Sequence, residues 1–155
     1  CALRRDALYR RRSQRGGAVS EPFSFRAGAV LPELVRGPIT RSMLALYAGA
    51  SNDHVMLHID SDFAKAAGMG DVFAHGMLSM AYLAQFIAQV APAQNVQSWQ
   101  VRFLAITPVH ATVRCSGEVL DVYEAEGRAL ARLRIRTTID SGVTTLEGEA
   151  VVARS

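Results

Sequence analysis

The chain lacks both a long apolar run and a useful number of cysteines. No apolar run reaches the ~18 residues that a membrane-spanning helix needs, because the densest stretch, residues 77–92, is interrupted by a serine and two glutamines. The two cysteines, Cys1 and Cys115, are too few for a disulfide framework or a four-ligand zinc site. Hydrophobic residues make up 50% of the 155 residues and charged residues 20%, which excludes global disorder. These observations predict one soluble, cytoplasmic globular domain.

Positive charge is concentrated at the start of the chain. The net charge of +3 would suggest a nucleic-acid partner if it were spread evenly. Residues 1–18, however, hold six arginines and one acid, so they carry +5 and residues 19–155 carry −2. The body of the chain has no basic stripe with interleaved aromatics. We therefore expect neither a nucleic-acid nor a membrane partner.

The basic segment at residues 1–18 has three interpretations. Its arginine-rich, acid-poor composition is typical of an organelle-targeting presequence, and also of a basic arm for an anionic partner. The interpretation we favour is a non-functional leader that ends at Gly16-Gly17, because the segment Val19-Ser20-Glu21 offers a start at a non-standard codon. No apolar stretch of about 7–15 residues is present there, which excludes a secretory signal. We expect the domain to comprise residues 19–155.

The hydrophobic pattern changes from helical to extended near residue 96. Thr40 is a good N-cap for a helix that runs to Gly49. One or two helical turns follow at residues 61–67, and a long apolar helix spans about 76–90 before Pro92 stops it. From there the apolar period is two. Four strands are predicted, over residues 96–106, 112–122, 128–139 and 143–153.

Four strands with one apolar face each form an antiparallel sheet whose apolar face needs a cover. The helix at about 76–90 is the element long and apolar enough to provide it. The sequence therefore predicts an α+β fold, in which a curled antiparallel sheet wraps around a long central helix; this is the hot-dog arrangement. Four arginines fall on the opposite face of the third strand, which predicts a solvated outer surface: Arg128, Arg132, Arg134 and Arg136.

A polar segment precedes the long helix and contains the candidate catalytic residues. Three aspartates and two histidines lie within residues 53–62. Asp60 and Asp62 are placed to cap a helix. Asp53 and His58 lie in the middle of the predicted loop with no helix beginning beside them, so they are candidates for acid–base chemistry.

A metal site is the alternative interpretation of this segment. His54 and His58 are four residues apart and would share one face of a helix as zinc ligands, with Asp60 or Asp62 as a third ligand. The β-branched Val55 and the shortness of the segment argue against a helix there. We therefore predict no metal, and the absence of a G-x-G-x-x-G or phosphate-loop motif predicts no cofactor.

Gly76 stands at the start of the predicted long helix. The free N–H groups of a helix N-terminus stabilise negative charge, and a glycine there lets a ligand approach the backbone. Close packing at a tight turn would explain the same glycine equally well.

Two motifs resemble the MaoC-like (R)-specific enoyl-CoA hydratases, the hydratase 2 group. The family pattern is approximately Y-A-x-x-S-G-D-x-N-P-L-H-x-D, followed by H-G-M at the start of the central helix. Residues 47–60 read Y-A-G-A-S-N-D-H-V-M-L-H-I-D, and residues 75–77 read H-G-M. The last strand, with E-G-E-A-V-V at residues 147–152, also looks like the family's usual ending. The chain departs from the pattern at three positions, where the family has Gly, Asn and Pro: Asn52, Val55 and Met56.

The resemblance implies a site and a reaction. Asp53 and His58 would act together on one water, and the Gly76 amide would hold the charge that develops on the thioester oxygen. Ser51 and His75, which belong to the same motifs, would contribute to oxyanion or substrate binding. The implied reaction is the reversible hydration of trans-2-enoyl thioesters to (R)-3-hydroxyacyl thioesters, linked to CoA or acyl-carrier protein, without a cofactor. The resemblance also implies a homodimer or a larger even oligomer.

Two competing functions remain open. Hot-dog thioesterases generally carry a carboxylate on the central helix, whereas residues 77–90 contain no Asp or Glu. A non-catalytic subunit that completes the acyl-binding tunnel of a partner dehydratase is the other alternative. The intact Asp53/His58 pair argues against this second alternative, and the departures at Val55 and Met56 favour it.

Overall fold

One antiparallel sheet of five strands organises the protein, which a computed structural model describes over residues 23–154. The strand order is β1-β3-β4-β5-β2, and every neighbouring pair is antiparallel. The strands are β1 (Leu34–Arg36), β2 (Val96–Phe103), β3 (Val113–Ala125), β4 (Arg128–Ile139) and β5 (Thr144–Ala153). The predicted leader, residues 1–18, lies outside the described residues.

Tight turns join β3 to β4 and β4 to β5. Glu126 and Gly127 both have positive φ, 51° and 70°, which is what a two-residue hairpin turn requires. Gly142, with φ of 81°, closes the turn between β4 and β5. Residues 104–112 instead carry the chain from β2, at one edge of the sheet, past β5 and β4 to β3.

The long apolar helix α3 (Gly76–Ile87) packs inside the curled sheet. Its buried side chains are Leu78, Ser79, Tyr82, Leu83, Phe86 and Ile87. They share one core with the inward residues of β3, β4 and β5, among them Val113, Leu133 and Leu146, each at most 1% exposed. Burying one such aliphatic side chain contributes about 1.5–3 kcal/mol. The structure therefore confirms the predicted hot-dog arrangement.

Two glycines make room where the strands approach closely. Gly117 of β3 and Gly148 of β5 lie on one row of the sheet, because both are paired with Ile135 of β4. A Cβ on Gly117 would overlap the carbonyl oxygen of Arg134, and one on Gly148 would overlap that of Gln100. Neither position has room for a side chain.

Two shorter helices lie between β1 and α3, and each begins at a residue that caps it. Thr40 caps α1 (Arg41–Ser51), because its hydroxyl accepts a hydrogen bond of 3.1 Å from the Met43 N–H. Asp60 caps α2 (Ser61–Ala66) by accepting from two backbone N–H groups. Both predicted caps are confirmed, whereas Asp62 lies within the first turn of α2 and does not cap it.

Helix α3 is shorter than the sequence pattern predicts. The pattern extends to Val90, but α3 ends at Ile87. Gln89 and Val90 donate to carbonyls three residues earlier, at 3.2 and 3.0 Å, so the chain tightens before it reaches Pro92. At 12 residues, α3 is the longest helix over residues 23–154, and no helix there is long and apolar enough to span a membrane.

The prediction that β2 buries one apolar face is partly wrong. Trp99 and Val101 are half-buried, but Phe103 is 52% exposed and the strand ends there, before Ala105. The reason is position: β2 is an edge strand, and α3 does not cover its whole inner face.

Two apolar cavities, together called the α3–β2 groove, therefore lie beside the helix and this edge strand. The cavity beside Gly76 and Phe103 has a volume of about 320 Å³. The second cavity, beside Ala84 and Trp99, has a volume of about 370 Å³. The two cavities lie near opposite ends of α3.

The arginine row of β4 lies on the outer face, as predicted. Arg132 pairs with Asp121 at 2.9 Å, and Arg134 pairs with Glu118 at 2.7 Å. These side chains are about half exposed, so solvent screens each pair and its contribution to stability is small.

Candidate active site

The loop over residues 52–58 begins where α1 ends in a left-handed residue. Asn52 has φ of 58° and ψ of 25°, a conformation that favours glycine and tolerates asparagine. The family's glycine at this position therefore has an acceptable replacement here. The backbone reverses at Asn52 and delivers Asp53 to the site.

The loop fixes both Ser51 and Asp53 by local hydrogen bonds. The Ser51 hydroxyl donates to the Tyr47 carbonyl at 2.7 Å and accepts from the Asp53 N–H at 3.3 Å. The Asp53 carboxylate accepts from the Val55 N–H at 3.3 Å. Ser51 thus uses its only proton to close α1, and its hydroxyl orders the loop in this arrangement.

His58 has a defined tautomer. Its Nδ1 lies 2.8 Å from the Phe73 carbonyl oxygen. Because a carbonyl only accepts, Nδ1 carries a proton, and in the neutral ring the lone pair is then on Nε2. A half-buried imidazole with a free Nε2 has the arrangement that a general base needs.

Asp53, His58 and His75 converge from two separate segments. One carboxylate oxygen of Asp53 and one nitrogen of each histidine all lie within 4.8 Å of one another. Since one hydrogen bond spans about 2.7–3.0 Å, a single water fits between two such groups. The structure therefore brings the predicted pair together.

His75, which the motifs predict to contribute to oxyanion or substrate binding, has a buried side chain. Its side chain is 1% exposed. Its Nε2 lies 3.1 Å from the Asp53 carbonyl oxygen, and its ring centroid is 3.9 Å from that of His58. Burial, reinforced by the neighbouring His58, lowers the pKa of His75, so the ring is neutral near pH 7.

Tyr47 is a member of this cluster that the sequence did not single out, although it is the first letter of the longer motif. Its ring centroid lies 5.0 Å from that of His75. Burial and then the negative charge of Asp53 raise the pKa of Tyr47, so the phenol stays protonated.

Gly76 is the first residue of α3, and the side chain of the N-cap residue His75 makes no capping bond. The side chain of His75 therefore does not occupy the N–H groups in the first turn of α3. These N–H groups lie at the positive end of the helix dipole and can bind an anion. A Cβ on Gly76 would lie 2.8 Å from Cε1 of Phe103. This contact favours close packing as the reason for the glycine, and the role of its amide as an oxyanion donor stays a prediction.

The alternative zinc site does not form from the predicted residues. His54 is exposed, and residues 56–58 form a 3₁₀ turn in place of the helix that the pair would need. In the part of the chain that the structure describes, the metal-ligand types cluster instead at Asp53, His58 and His75. The hydrogen bonds above leave three possible ligand atoms unused: one oxygen of the Asp53 carboxylate, His58 Nε2 and His75 Nδ1.

Comparison with known proteins identifies relatives over most of the chain. The sequence profile of the family described as "MaoC like domain" matches residues 27–141. The 3-hydroxyacyl-thioester dehydratase Z of Mycobacterium tuberculosis is 30% identical over 108 residues, which cover 66% of this chain and 71% of that protein.

Solved structures of other proteins have the same fold as this chain. The (R)-hydratase from A. caviae involved in PHA biosynthesis superposes with a TM-score of 0.73 at 25% identity, covering 83% of this chain and 96% of that one. The R-hydratase PhaJ1 from Pseudomonas aeruginosa gives a TM-score of 0.73 at 26% identity, with 84% and 83% covered. A chain of the ChsH1-ChsH2 complex from Mycobacterium tuberculosis gives 0.72 at 24% identity, with 83% and 98% covered, and so shares the fold. Profile, relative and fold agree with the motifs at residues 47–60 and 75–77, and the chain belongs to the MaoC-like family of dehydratases.

Proposed function

We propose that the protein catalyses the reversible hydration of trans-2-enoyl thioesters to (R)-3-hydroxyacyl thioesters, carried by CoA or an acyl-carrier protein. One observation carries the proposal: the imidazole of His58 and the carboxylate of Asp53 lie close enough for one water to bridge them, and the contact of Nδ1 with the Phe73 carbonyl leaves Nε2 for that water. The names of the dehydratase and (R)-hydratase relatives support the same reaction class and stereochemistry.

In the hydration direction, Asp53 and His58 both hydrogen-bond the water. His58 Nε2 takes one proton as the oxygen bonds to C3 of the substrate, and the electron pair of the double bond moves toward the thioester oxygen. The Gly76 amide, at the positive end of α3, stabilises that oxygen. The proton on Nε2 then returns to C2, so one water is added across the bond and both catalytic groups are regenerated.

The α3–β2 groove supports an acyl chain as the substrate's variable part. Ala84 lies eight residues beyond Gly76, which corresponds to about 12 Å along the helix. The cavity there is lined mainly by small and apolar side chains: Ala84, Ile87, Ala88, Ala91, Ala93 and Val96. An acyl chain bound at Gly76 by its thioester would have to extend over that distance to reach this apolar lining.

The test is hydration of a panel of trans-2-enoyl-CoA esters of increasing chain length. We expect loss of the conjugated-thioester absorbance for part of the panel, and an (R)-3-hydroxyacyl product by chiral chromatography. EDTA should leave the rate unchanged, because the proposed chemistry uses the water and the two side chains alone. Lasting inhibition that zinc reverses would assign Asp53, His58 and His75 to a metal instead.

A non-catalytic subunit is the second candidate. Val55 and Met56 replace the family's Asn and Pro and are 50% and 43% exposed beside the catalytic pair. In this interpretation they supply apolar surface to the acyl-binding tunnel of a partner. No hydration of any ester in the panel, by protein that melts cooperatively, would favour this candidate over the proposed enzyme.

A further inference from the structure

His75 occupies the interior between the two catalytic residues. It is the N-cap residue of α3, yet its side chain is 1% exposed. Three titratable residues face it: Tyr47 from α1, and Asp53 and His58 from the 52–58 loop. An N-cap side chain normally bonds its own helix, whereas this one reaches across to the loop.

The hydrogen-bonding of His75 selects one protonation state. Nε2 faces the Asp53 carbonyl oxygen, so it must carry a proton. Nδ1 is buried without a hydrogen-bond partner among the described residues. The opposite tautomer would bury an N–H with no acceptor and turn a lone pair toward the carbonyl. An imidazolium would add a buried charge beside His58, so the neutral Nε2–H form is the favourable one.

Four rings lie in sequence across the site, and His75 occupies a central place among them. Tyr47 and His75 are 5.0 Å apart, His75 and His58 3.9 Å, and His58 and Phe73 4.8 Å between ring centroids. The His75 and His58 rings are tilted by 30°, close to stacked, whereas Phe73 meets His58 at 80°. The His58 ring is therefore held by His75 and by Phe73, which also accepts its Nδ1–H.

We propose that His75 is a positioning residue that holds both catalytic groups: its Nε2–H fixes the main chain of Asp53, and its ring fixes the imidazole of His58. The proposal rests on the proposed function of Asp53 and His58. It gives His75 no contact with substrate, because the side chain has almost no accessible surface.

Two variants separate the two contacts. His75→Phe keeps a planar ring against His58 and removes the hydrogen bond, whereas His75→Gln keeps an N–H for the Asp53 carbonyl and removes the ring. We expect each to lower kcat, by up to about 10²-fold, with KM unchanged. Ser79→Ala is the matched control: Ser79 is equally buried on α3, but its hydroxyl bonds Thr107 and not the catalytic pair.

Unchanged kcat in both His75 variants, with a lower Tm alone, would reduce His75 to a structural role and overturn the proposal. A raised KM at unchanged kcat would overturn it in favour of substrate binding.

A spectroscopic measurement tests the proposal without activity. Nitrogen-15 NMR of the histidine rings near neutral pH should show His75 as the neutral Nε2–H tautomer and His58 as the Nδ1–H tautomer. The His58 ring signals should shift or broaden in His75→Phe and His75→Gln and stay in place in Ser79→Ala. If the wild-type protein hydrates nothing in the panel, the proposed function fails and these spectra still decide the positioning role. His58 signals that do not respond to either substitution would overturn it.

Discussion

The chemical role of His58 depends on a main-chain contact from outside its own motif. The Phe73 carbonyl, fifteen residues further along, accepts the Nδ1–H at 2.8 Å. That bond leaves Nε2 as the ring nitrogen available to take a proton, and in the proposed reaction Asp53 supplies a second acceptor for the same water. The two side chains would then act as a unit, and removing either one would leave the water held by the other alone.

Substitution of Asp53 or of His58 should show that each residue depends on the other. Asp53→Asn keeps size and removes the charge, and His58→Gln keeps a polar group that cannot titrate. We expect either change to lower kcat by about 10²–10⁴-fold with the fold intact. The double variant should be scarcely worse than the more damaging single one. Steady-state kinetics, with far-UV circular dichroism to check the fold, measure all three.

His54→Gln is the control for these variants. His54 adjoins Asp53 in the sequence but is exposed and outside the cluster, so its loss should cost little activity. The assignment would be contradicted if His54→Gln lowered kcat as much as His58→Gln. It would also be contradicted if both Asp53→Asn and His58→Gln kept most of their activity.

The buried His75 should make stability depend on pH. Its pKa is lowered in the folded protein, mainly by burial, whereas in the unfolded chain a histidine titrates near pH 6.5. Below about pH 6.5, unfolding therefore takes up a proton, and the free energy of unfolding falls as pH drops toward the folded pKa. Urea unfolding between about pH 7 and pH 5 should show a smaller decrease for His75→Phe than for wild type. His54→Gln should leave the decrease unchanged, and equal decreases in His75→Phe and wild type would refute the explanation.

At the residue scale, the motifs predicted Asp53, His58 and Gly76 as site residues and His75 as a residue for oxyanion or substrate binding, but not the contacts of His75 with the Asp53 main chain and the His58 ring. The H-G-M motif places His75 beside Gly76, the proposed oxyanion donor. Whether an N-cap side chain points to solvent or to the interior depends on what packs there. Here the rings of Tyr47 and His58, from other segments, occupy the neighbouring space, and no local pattern encodes that contact.

The end of α1 controls the loop that carries the pair. Asn52 has φ of 58°, so glycine should be tolerated there and a residue with a plain Cβ should not. We expect Asn52→Gly to keep both stability and kcat, and Asn52→Ala to lower the free energy of unfolding by about 1 kcal/mol.

Ala50→Gly is the matched control for Asn52→Gly, because Ala50 is exposed and lies inside the same helix. Glycine at that position should destabilise by about 1 kcal/mol. Urea unfolding gives all of these values. A cost for Asn52→Gly as large as that for Ala50→Gly would rule out the left-handed cap as the reason for this residue.

The start of α3 and the end of β2 are coupled through Gly76 and Phe103. A Cβ on Gly76 would lie 2.8 Å from the Phe103 ring, so Gly76→Ala should destabilise by about 1 kcal/mol or more through overpacking. In a Phe103→Ala background the same change should become neutral or stabilising, since alanine is the better helix former by about 1 kcal/mol. Urea unfolding of the four proteins measures this coupling. Any loss of kcat in Gly76→Ala should be recovered in the double variant, because the backbone amide of residue 76 is retained. A loss of kcat that persists in the double variant would instead mean that the ligand needs the glycine.

At the element scale, periodicity predicted which residues share a face but not whether that face is covered. By the alternation of side chains along β2, Phe103 is on the same face as Trp99 and Val101. It is nevertheless 52% exposed, because β2 is at the edge of the sheet. Strand order depends on how residues 104–112 cross the fold, and a turn-rich connection of that length is compatible with several orders. The β3–β4 and β4–β5 hairpins were predictable because their short turns leave little choice of neighbour.

The whole molecule leaves one long edge and one apolar groove open on the same side. Strand β2 pairs with β5 alone, so one row of its backbone N–H and C=O groups has no strand partner among residues 23–154. Large apolar side chains at the start of α3 and at or just beyond the end of β2 are about half exposed: Met77 (54%), Phe103 (52%), Leu104 (50%) and Ile106 (45%). An exposed edge next to exposed apolar surface is what a second copy of the chain would cover.

We therefore predict a dimer or larger even assembly joined along β2 and the groove. Sedimentation should give at least twice the monomer mass at concentrations where the enzyme is active. Ala84→Glu places a charge on the helix face that lines the groove and should shift the protein toward monomer. Ala45→Glu, at an exposed alanine of α1, is the matched control and should leave the mass unchanged. A wild-type protein that sediments as a monomer with full activity would show that the edge and the groove face solvent.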